Sequence, residues 1–327
     1  MLPALSDIQR HCPAVQVDWV VEEAFAAIPA WHPQVRRVIP VALRRWRKQG
    51  WWKAQTRQEW QGFTRDVQHA HYDAVLDTQG LLKSAWLACC ARGKRYGYDR
   101  RSIREPLASI AYQQHFAVSR QLHAITRNRL LTAQTLGYDI QHTPLDYGIA
   151  QQIFTTFPAL AGIDFQRTAY VLALHGTSRV EKEWQETQWQ ALCAAVTAQG
   201  VAVLLPWGNA REFERAQRLA AMNPMVQVLP RCSLLELASV LQHARAVIGM
   251  DTGLMHLAAA LNQSGFALYP VTQPDLTGVC GNAAFPKTLH SIAGADTHDT
   301  AGVIQRLLAV LSTESVPDLT PPTTATL

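Results

Sequence analysis

The chain has 327 residues, of which 48% are hydrophobic and 17% are charged. This composition excludes a disordered chain, and the length favours two domains over a single core. No apolar run approaches the ~20 residues that a membrane-spanning helix needs, and the opening residues lack the pattern of a secretory signal. We therefore expect the protein to stay in the cytoplasm.

Six cysteines are scattered along the chain without the spacing of metal ligands. We predict that they pack as small buried side chains in a reducing compartment and form no disulfide framework. The sequence also has no HExxH, DxD or cysteine-cluster motif, so we predict neither a metal nor another cofactor.

The net charge of +5 is unevenly distributed. Between residues 24 and 58 there are eight Lys and Arg and no Asp or Glu, and between 92 and 104 there are six against one Asp. Seven of the ten Trp residues precede residue 90. Such a basic, aromatic first half is typical of proteins that contact a polyanion: nucleic acid, an anionic bilayer or a phosphorylated substrate.

The first half opens on a helical pattern, because Pro3 is suited to a first turn and apolar residues follow at helical spacing. The polar, proline-containing stretch 139–147 is the predicted linker. The other predicted elements are strands at 17–21, 35–41 and 72–77 and helices at 82–91 and 121–136.

The second half alternates apolar runs with helical patterns. Strands are predicted at 169–175, 201–205, 226–228, 244–250 and 266–269, and helices at 189–198, 212–222, 234–243 and 257–261. This alternation predicts parallel βαβ units, and so an α/β fold with a doubly wound sheet. Ligands bind such sheets beyond the carboxyl ends of the strands, where His175, Pro206 and Asp251 lie.

The segment 251–256 carries the clearest functional signal. It joins a buried strand to an Ala-rich helix through a Gly-containing turn, so free backbone N–H groups and the positive helix end converge there. A phosphate suits that point, beside the carboxylate of Asp251 and the imidazole of His256. The pattern favours a nucleotide-diphosphate pocket, and an Asp N-cap followed by a core helix is the alternative.

Three further segments follow neighbouring strand ends. Residues 177–179 with Lys182 offer hydroxyls and an ammonium group to phosphate oxygens. Glu212, just after 206–208, can accept hydrogen bonds from ribose hydroxyls, and residues 231–233 can border the pocket. The alternative for each is a solvated loop or a charged helix start, but all four segments together indicate one ligand.

A dense cluster of cations and indoles occupies residues 44–48 and 51–53. We interpret it as a contact for acceptor phosphates or for an anionic lipid surface, with a solvated basic helix as the alternative. The eight cations between residues 24 and 58, with no acidic residue among them, repel one another, and an anionic ligand would relieve that repulsion.

Several blocks of sequence match one family pattern: 18–23, 38–41, 44–48, 77–84, 104–109, 206–208 and 251–257. On these blocks the chain resembles the lipopolysaccharide heptosyltransferase I family, in the ADP-heptose transferase group (glycosyltransferase family 9) of GT-B glycosyltransferases. The Arg-Arg-Trp-Arg-Lys and Asp-Thr-Gly blocks are specific only together, and the resemblance extends over about residues 2–312.

The resemblance implies a GT-B fold, with two Rossmann-like doubly wound domains facing a cleft. The N-terminal domain, 1–147, would bind Kdo2-lipid A, the C-terminal domain, 148–312, would bind ADP-heptose, and 313–327 would form a flexible tail. Transfer would invert the anomeric centre: a base deprotonates a Kdo hydroxyl, which attacks L-glycero-D-manno-heptose as ADP leaves. The protein would work as a peripheral protein on the cytoplasmic face of the inner membrane.

The resemblance also implies roles for particular residues. It places Thr177, Ser178 and Lys182 at the diphosphate, Glu212 at the nucleoside and Cys232 near the adenine. The positions matched to the diphosphate–heptose portion are Asp251, Thr252, Gly253 and His256. The positions matched to acceptor phosphates are Arg44, Arg45, Lys48 and Arg104.

The chain departs from the family pattern at its start. The family has a strand and a Ser-Ser-Met-Gly-Asp type turn before the Leu-Pro-Ala-Leu found at 2–5, and that turn carries the expected catalytic Asp. We therefore expect an N-terminally truncated product that lacks this Asp and has exposed apolar strand edges. Asp7 is not expected to replace it, and Cys232 stands where a larger Met is usual.

Other functions stay open at this point. A catalytically impaired ADP-sugar or lipid A-binding protein would bind ADP-heptose without turnover, and a transferase that adds a later core heptose would prefer a longer acceptor. A nucleic-acid-binding module rests on charge alone and predicts DNA affinity that falls steeply with salt; we predict no nucleic acid partner.

Overall fold

The computed structural model describes residues 1–177, 183–283 and 289–313. Its contacts divide the chain into two units. The first comprises Met1–Gln152 with Asp275–Thr277, and the second comprises Ile153–Pro274 with the described residues from 278 onward. In the described part of the chain, no helix is long and apolar enough to cross a membrane.

The first unit contains five strands and six α-helices among its elements up to residue 152. The strands are β1 (Val17–Glu22), β2 (Val35–Val41), β3 (His71–Leu76), β4 (Arg92–Tyr98) and β5 (Gln114–Phe116). The helices are α1 (Leu2–His11), α2 (Ala27–Ala30), α3 (Leu43–Gln49), α4 (Ala54–Val67), α5 (Leu82–Cys90) and α6 (Ala124–Leu136), with 3₁₀ turns at Glu23–Phe25 and Pro106–Ala111. The opening helix and the three predicted strands are confirmed.

The strands of the first unit form two parallel sheets, where the sequence favoured one. β1 pairs with β2, and β3, β4 and β5 form the second sheet in that order. The other edges of β1 and β3 pair with no described strand, and Val20 in β1 is 36% exposed.

A buried ion pair fastens α1 to α6. Asp7 is fully buried, and its two carboxylate oxygens accept hydrogen bonds from Arg129 at 2.7 and 2.9 Å. The same guanidinium donates to the carbonyl of Thr143 at 2.8 Å, which ties the 139–147 stretch to the first unit. Because both oxygens of Asp7 are occupied in the core, this carboxylate is structural.

The second unit is built on a six-stranded sheet. The strands are β6 (Tyr170–Leu174), β7 (Ala202–Leu205), β8 (Val226–Val228), β9 (Ala246–Met250), β10 (Gly265–Tyr269) and β11 (Leu289–Ala293). The helices that follow α6 are α7 (Glu186–Thr197), α8 (Ala210–Ala220), α9 (Leu234–His243), α10 (Gly253–Ala260), α11 (Pro274–Thr277) and α12 (Thr300–Thr313). The predicted strand–helix alternation is confirmed.

This sheet is parallel and doubly wound, in the order β11-β10-β9-β6-β7-β8. Val171 and Ile248 face one side, in a core completed by α7, α8 and α12. The Tyr170 hydroxyl faces the other side and donates to the Val240 carbonyl of α9 at 2.7 Å. β6, β7, β9 and β10 are buried along their whole length, as expected for parallel strands covered by helices on both faces.

The structure corrects the expectation that the cysteines are buried. Cys193 is buried, but Cys89 is exposed, and the other four are half-buried. Cys89 lies on α5, whose outer face is open to solvent. The sequence identifies a small apolar side chain but not the face of the helix that carries it.

We predict that Asp7→Ala lowers the free energy of unfolding by about 3–5 kcal/mol, because it leaves the Arg129 guanidinium buried without a counter-charge. Arg218→Ala is the matched control, since Arg218 and Glu186 form an exposed ion pair of similar geometry, at 2.7 Å. The control should cost less than about 1 kcal/mol. Denaturant unfolding measures both, and equal losses would contradict the structural role of Asp7.

Candidate functional site

A pocket lies beyond the carboxyl ends of β6, β7 and β9, within the second unit. Its volume is about 300 Å³. Its lining residues come from the segments that follow these strands and from the helices that start there: Leu174, Gly176, Thr177, Pro206, Trp207, Gly208, Glu212, Arg231, Cys232, Leu237, Thr252 and Leu254. The order of the sheet reverses between β6 and β9, and doubly wound sheets bind ligands at such a switch point.

Glu212 enters the pocket because Gly176 leaves room for it. An ideal Cβ on Gly176 would lie 2.5 Å from the carboxyl carbon of Glu212, so no other residue fits at position 176 without moving that side chain. Asn209 caps α8 by accepting from the Glu212 N–H at 3.0 Å, which puts Glu212 in the first turn. Its carboxylate accepts from the Gly208 N–H at 2.7 Å and keeps further lone pairs for a ligand.

The turn after β9 is joined to its two neighbouring strand ends. The Thr177 hydroxyl donates to the Asp251 carbonyl at 3.2 Å, and the Thr272 hydroxyl donates to the Asp251 carboxylate at 3.0 Å. Thr252 then forms the N-cap position of α10, with no side-chain capping bond. The first N–H groups of α10 therefore begin at the pocket wall, where the positive helix end favours an anion.

An aromatic and sulfur-containing wall closes the side of the pocket near β7 and β8. The Trp207 indole N–H donates to the Leu229 carbonyl at 2.8 Å, and its ring packs on Phe213 at a centroid distance of 4.6 Å. Cys232 is half-buried, and burial raises its pKa to about 11, with a further contribution from Glu236. The thiol is therefore neutral at physiological pH and offers an apolar surface to a ligand.

The structure brings four of the predicted donor residues to one cavity: Thr177, Glu212, Cys232 and Thr252. Asp251 and Gly253 flank Thr252, and His256 lies one turn further along α10, half-buried. Ser178 and Lys182 lie outside the described residues.

An ion network lies beside the pocket, and it was not anticipated from the sequence. The Glu183 carboxylate accepts from Arg211 at 2.7 Å and from Arg215 at 2.9 Å. Arg215 also donates to Nδ1 of His175, which is fully buried at the end of β6. Burial, and secondarily the charge of Arg215, lowers the pKa of His175 to about 4. His175 is therefore a neutral support beneath the site.

The structure corrects the charge map of the basic segment. Three of the eight cations between residues 24 and 58 are neutralised by acids from outside that segment. The pairs are Arg36–Asp18 (2.8 Å), Arg37–Asp18 (3.3 Å), Arg45–Glu23 (2.9 Å) and Arg45–Glu59 (2.9 Å). A local count of charges missed these partners because they come from β1, the turn after it and α4.

The predicted acceptor residues therefore differ in their surroundings. Arg44 and Lys48 are exposed at i, i+4 on α3, and no ion pair joins either of them to another described residue. Arg45 is occupied by two carboxylates. Arg104 is exposed, and its neighbour Glu105 accepts from the Leu82 N–H at 2.6 Å, which orders the start of α5.

Thr272, Gly176 and Glu183 are site residues that sequence reasoning missed. The Thr272–Asp251 contact joins residues 21 positions apart, so no local pattern signals it. Gly176 does leave a signal, since a glycine directly after a buried strand often marks a close approach of backbone to another group.

The fold and the pocket define a class of protein: a doubly wound α/β protein that holds a small ligand at a topological switch point. A model of the family "Glycosyltransferase family 9 (heptosyltransferase)" matches residues 60–299. Lipopolysaccharide heptosyltransferase 1 of Escherichia coli K12 is 45% identical over 281 residues, which cover 86% of each chain. The chain therefore belongs to glycosyltransferase family 9, and the resemblance seen in the sequence is confirmed.

Other comparisons agree. Lipopolysaccharide heptosyltransferase 1 of Pseudomonas aeruginosa is 47% identical over 283 residues, covering 86% of this chain and 78% of that protein. The structure of E. coli heptosyltransferase WaaC with ADP superposes with a TM-score of 0.85 at 41% identity and covers 94% of both chains. The same enzyme with ADP-2-deoxy-2-fluoro heptose gives a TM-score of 0.81. These matches confirm the α/β fold with parallel sheets.

We predict that His175 makes the second unit sensitive to acid. Its pKa of about 4 lies below the usual 6.5, so its contribution to stability is complete above pH 6.5 and is lost as the pH falls towards 4. When the pH falls from 7.5 to 4.5, the free energy of unfolding should decrease in both proteins. The decrease should be about 2–3 kcal/mol smaller in His175→Gln than in the wild type.

The exposed His298→Gln variant is the control for this measurement and should follow the wild type. Denaturant unfolding at the two pH values measures the effect. If His175→Gln and His298→Gln show the same loss, His175 is not held neutral by the fold.

Proposed function

We propose that this chain transfers L-glycero-D-manno-heptose from ADP-heptose to Kdo of Kdo2-lipid A, with inversion, in the assembly of the lipopolysaccharide inner core. The pocket at the β6–β9 switch point carries this proposal, because it combines a positive helix end, a carboxylate and an apolar wall in one cavity. Relatives that are 45–47% identical carry the name lipopolysaccharide heptosyltransferase 1.

On the donor side, each feature of the pocket suits one part of a nucleoside diphosphate sugar. The N-terminus of α10, at Thr252 and Gly253, favours the diphosphate. The Glu212 carboxylate accepts from nucleoside hydroxyls, and Trp207 with the neutral Cys232 covers apolar ring surface. Asp251 and His256, with Ser178 and Lys182, complete the proposed contacts to the diphosphate and heptose.

On the acceptor side, exposed cations of the first unit suit the phosphates of lipid A. Arg44 and Lys48 stand on one face of α3, where like charges repel and an anion relieves the repulsion. Arg104 is the third exposed cation of the proposed set. Arg45 shares α3 with them, and its pairs with Glu23 and Glu59 hold this helix against the turn after β1 and against α4.

The acceptor has acyl chains and resides in a bilayer, so we also propose that the protein acts peripherally at the cytoplasmic face of the inner membrane. The phosphates of such an acceptor suit exposed cations better than a neutral sugar would.

The test is ADP release from ADP-heptose in the presence of heptoseless Kdo2-lipid A. We predict acceptor-dependent release by the wild type. Gly176→Ala should raise the KM for ADP-heptose and the Kd for ADP about tenfold. The new methyl group would displace the Glu212 carboxylate, which is proposed to accept hydrogen bonds from the nucleoside. Gly62→Ala, on α4 with open space around its Cα, is the matched control and should leave both values unchanged.

The outcomes separate the candidate functions. Tight ADP-heptose binding without ADP release would show that the chain is a binding protein and not a transferase. Release only with an acceptor that already carries heptose would assign a later transfer step. Equal donor affinities for Gly176→Ala and the wild type would remove Glu212 from the donor site.

A further inference from the structure

Three indoles of the first unit, Trp51, Trp60 and Trp86, contact one another, and the contacts proposed for the donor and the acceptor use none of them. The Trp51 ring lies 5.8 Å from the Trp86 ring, and Trp60 stacks on Trp86 at 4.4 Å. Trp46, which is 2% exposed, anchors this cluster in the core through an edge contact with Trp60. We call the solvent-exposed part, Trp51, Trp52, Leu82 and Trp86, the tryptophan patch.

The patch presents several large apolar side chains to solvent. Trp52 is 77% exposed, and Leu82 and Trp86 are 51% and 43% exposed at i, i+4 on one face of α5. Exposed apolar residues normally occur singly, and a connected group marks an interaction surface. Trp52 packs over Gly50, since an ideal Cβ there would lie 2.6 Å from its ring.

Exposed cations lie next to patch residues in the chain. Lys53 follows Trp52 directly, and Arg57 donates to the Trp52 carbonyl at 3.0 Å. Lys83 follows Leu82, and Arg47 lies on α3. None of these four exposed cations forms an ion pair with a residue that the structure describes. Exposed indoles with such cations next to them in the chain suit the headgroup region of an anionic bilayer, where the rings enter the interface and the cations meet phosphates.

We propose that the tryptophan patch, with Lys53, Arg57 and Lys83, is a docking surface for anionic phospholipid bilayers. It rests on the proposed function only in placing the acceptor-binding unit at a membrane. It is separate from the contacts proposed for the acceptor, which use Arg44, Arg45, Lys48 and Arg104. The surface therefore binds lipid in the absence of acceptor.

The test is flotation of the full chain with phosphatidylcholine vesicles that contain or lack phosphatidylglycerol, and that contain no lipid A. Wild-type protein should float only with the anionic vesicles, and less so at high salt. Lys53→Glu should weaken partitioning about 25-fold, because the charge changes by two units and each unit contributes about fivefold. Trp52→Ala should weaken it severalfold and reduce the quenching of protein fluorescence by lipids with brominated acyl chains.

The matched controls are Arg306→Glu and Ile153→Ala, an exposed cation and an exposed apolar side chain of the second unit. Both should partition like the wild type. ADP release with a de-acylated, soluble acceptor is measured in parallel. Trp52→Ala should leave it unchanged, so a failed transfer reaction and a failed membrane surface give different results.

Several results would overturn the proposal. These are equal flotation with neutral and anionic vesicles, equal flotation of Lys53→Glu and Arg306→Glu, and unquenched fluorescence. Sedimentation that shows a dimer lost in Trp52→Ala, without vesicle binding, would assign the patch to a second copy of the chain instead.

Discussion

The proposed donor site depends on how closely the segment after β6 and the first turn of α8 approach each other. Gly176 has no side chain, so the Glu212 carboxyl group occupies the space where a Cβ would project. One strand further, the Thr177 hydroxyl ties this segment to the Asp251 carbonyl. The pocket exists because these contacts hold three strand ends together around it, and the ion network of Glu183 and Arg215 supports them from the side.

The two units are stabilised in different ways. In the second unit, the central strands are buried on both faces, and burial of apolar side chains supplies most of the stabilisation. In the first unit, the described strands form two small sheets, and charged contacts are more prominent. The Asp7–Arg129 pair joins α1 to α6, and the Asp18 carboxylate joins β1 to β3 by accepting from the Tyr72 hydroxyl at 2.8 Å.

The same difference between the two units explains which strands could be predicted from the sequence and which could not. Fully buried parallel strands leave continuous apolar runs, and β6, β9 and α9 were predicted within one or two residues of their observed bounds. β4, with the sequence Arg-Gly-Lys-Arg-Tyr-Gly-Tyr, has no such run and was missed. Its strand form depends on pairing with β3 and β5, which a local pattern does not record.

The site residues that a local sequence pattern records were predicted, and those that depend on distant contacts were not. Thr177, Glu212, Cys232 and Thr252 follow recognisable strand ends or helix starts, and they line one cavity. Thr272 and the partners of Arg45 depend on contacts between segments distant in the chain. The charge of the basic segment was overestimated because Glu23 and Glu59, which flank residues 24–58, were outside the count although both pair with Arg45.

A crystal structure of this chain with ADP tests the central claim most directly. The account predicts ADP in the cavity at the ends of β6, β7 and β9, with its diphosphate at the first N–H groups of α10 and its nucleoside beside Glu212. ADP bound on any other surface of the chain, with this cavity filled only by solvent, would contradict it.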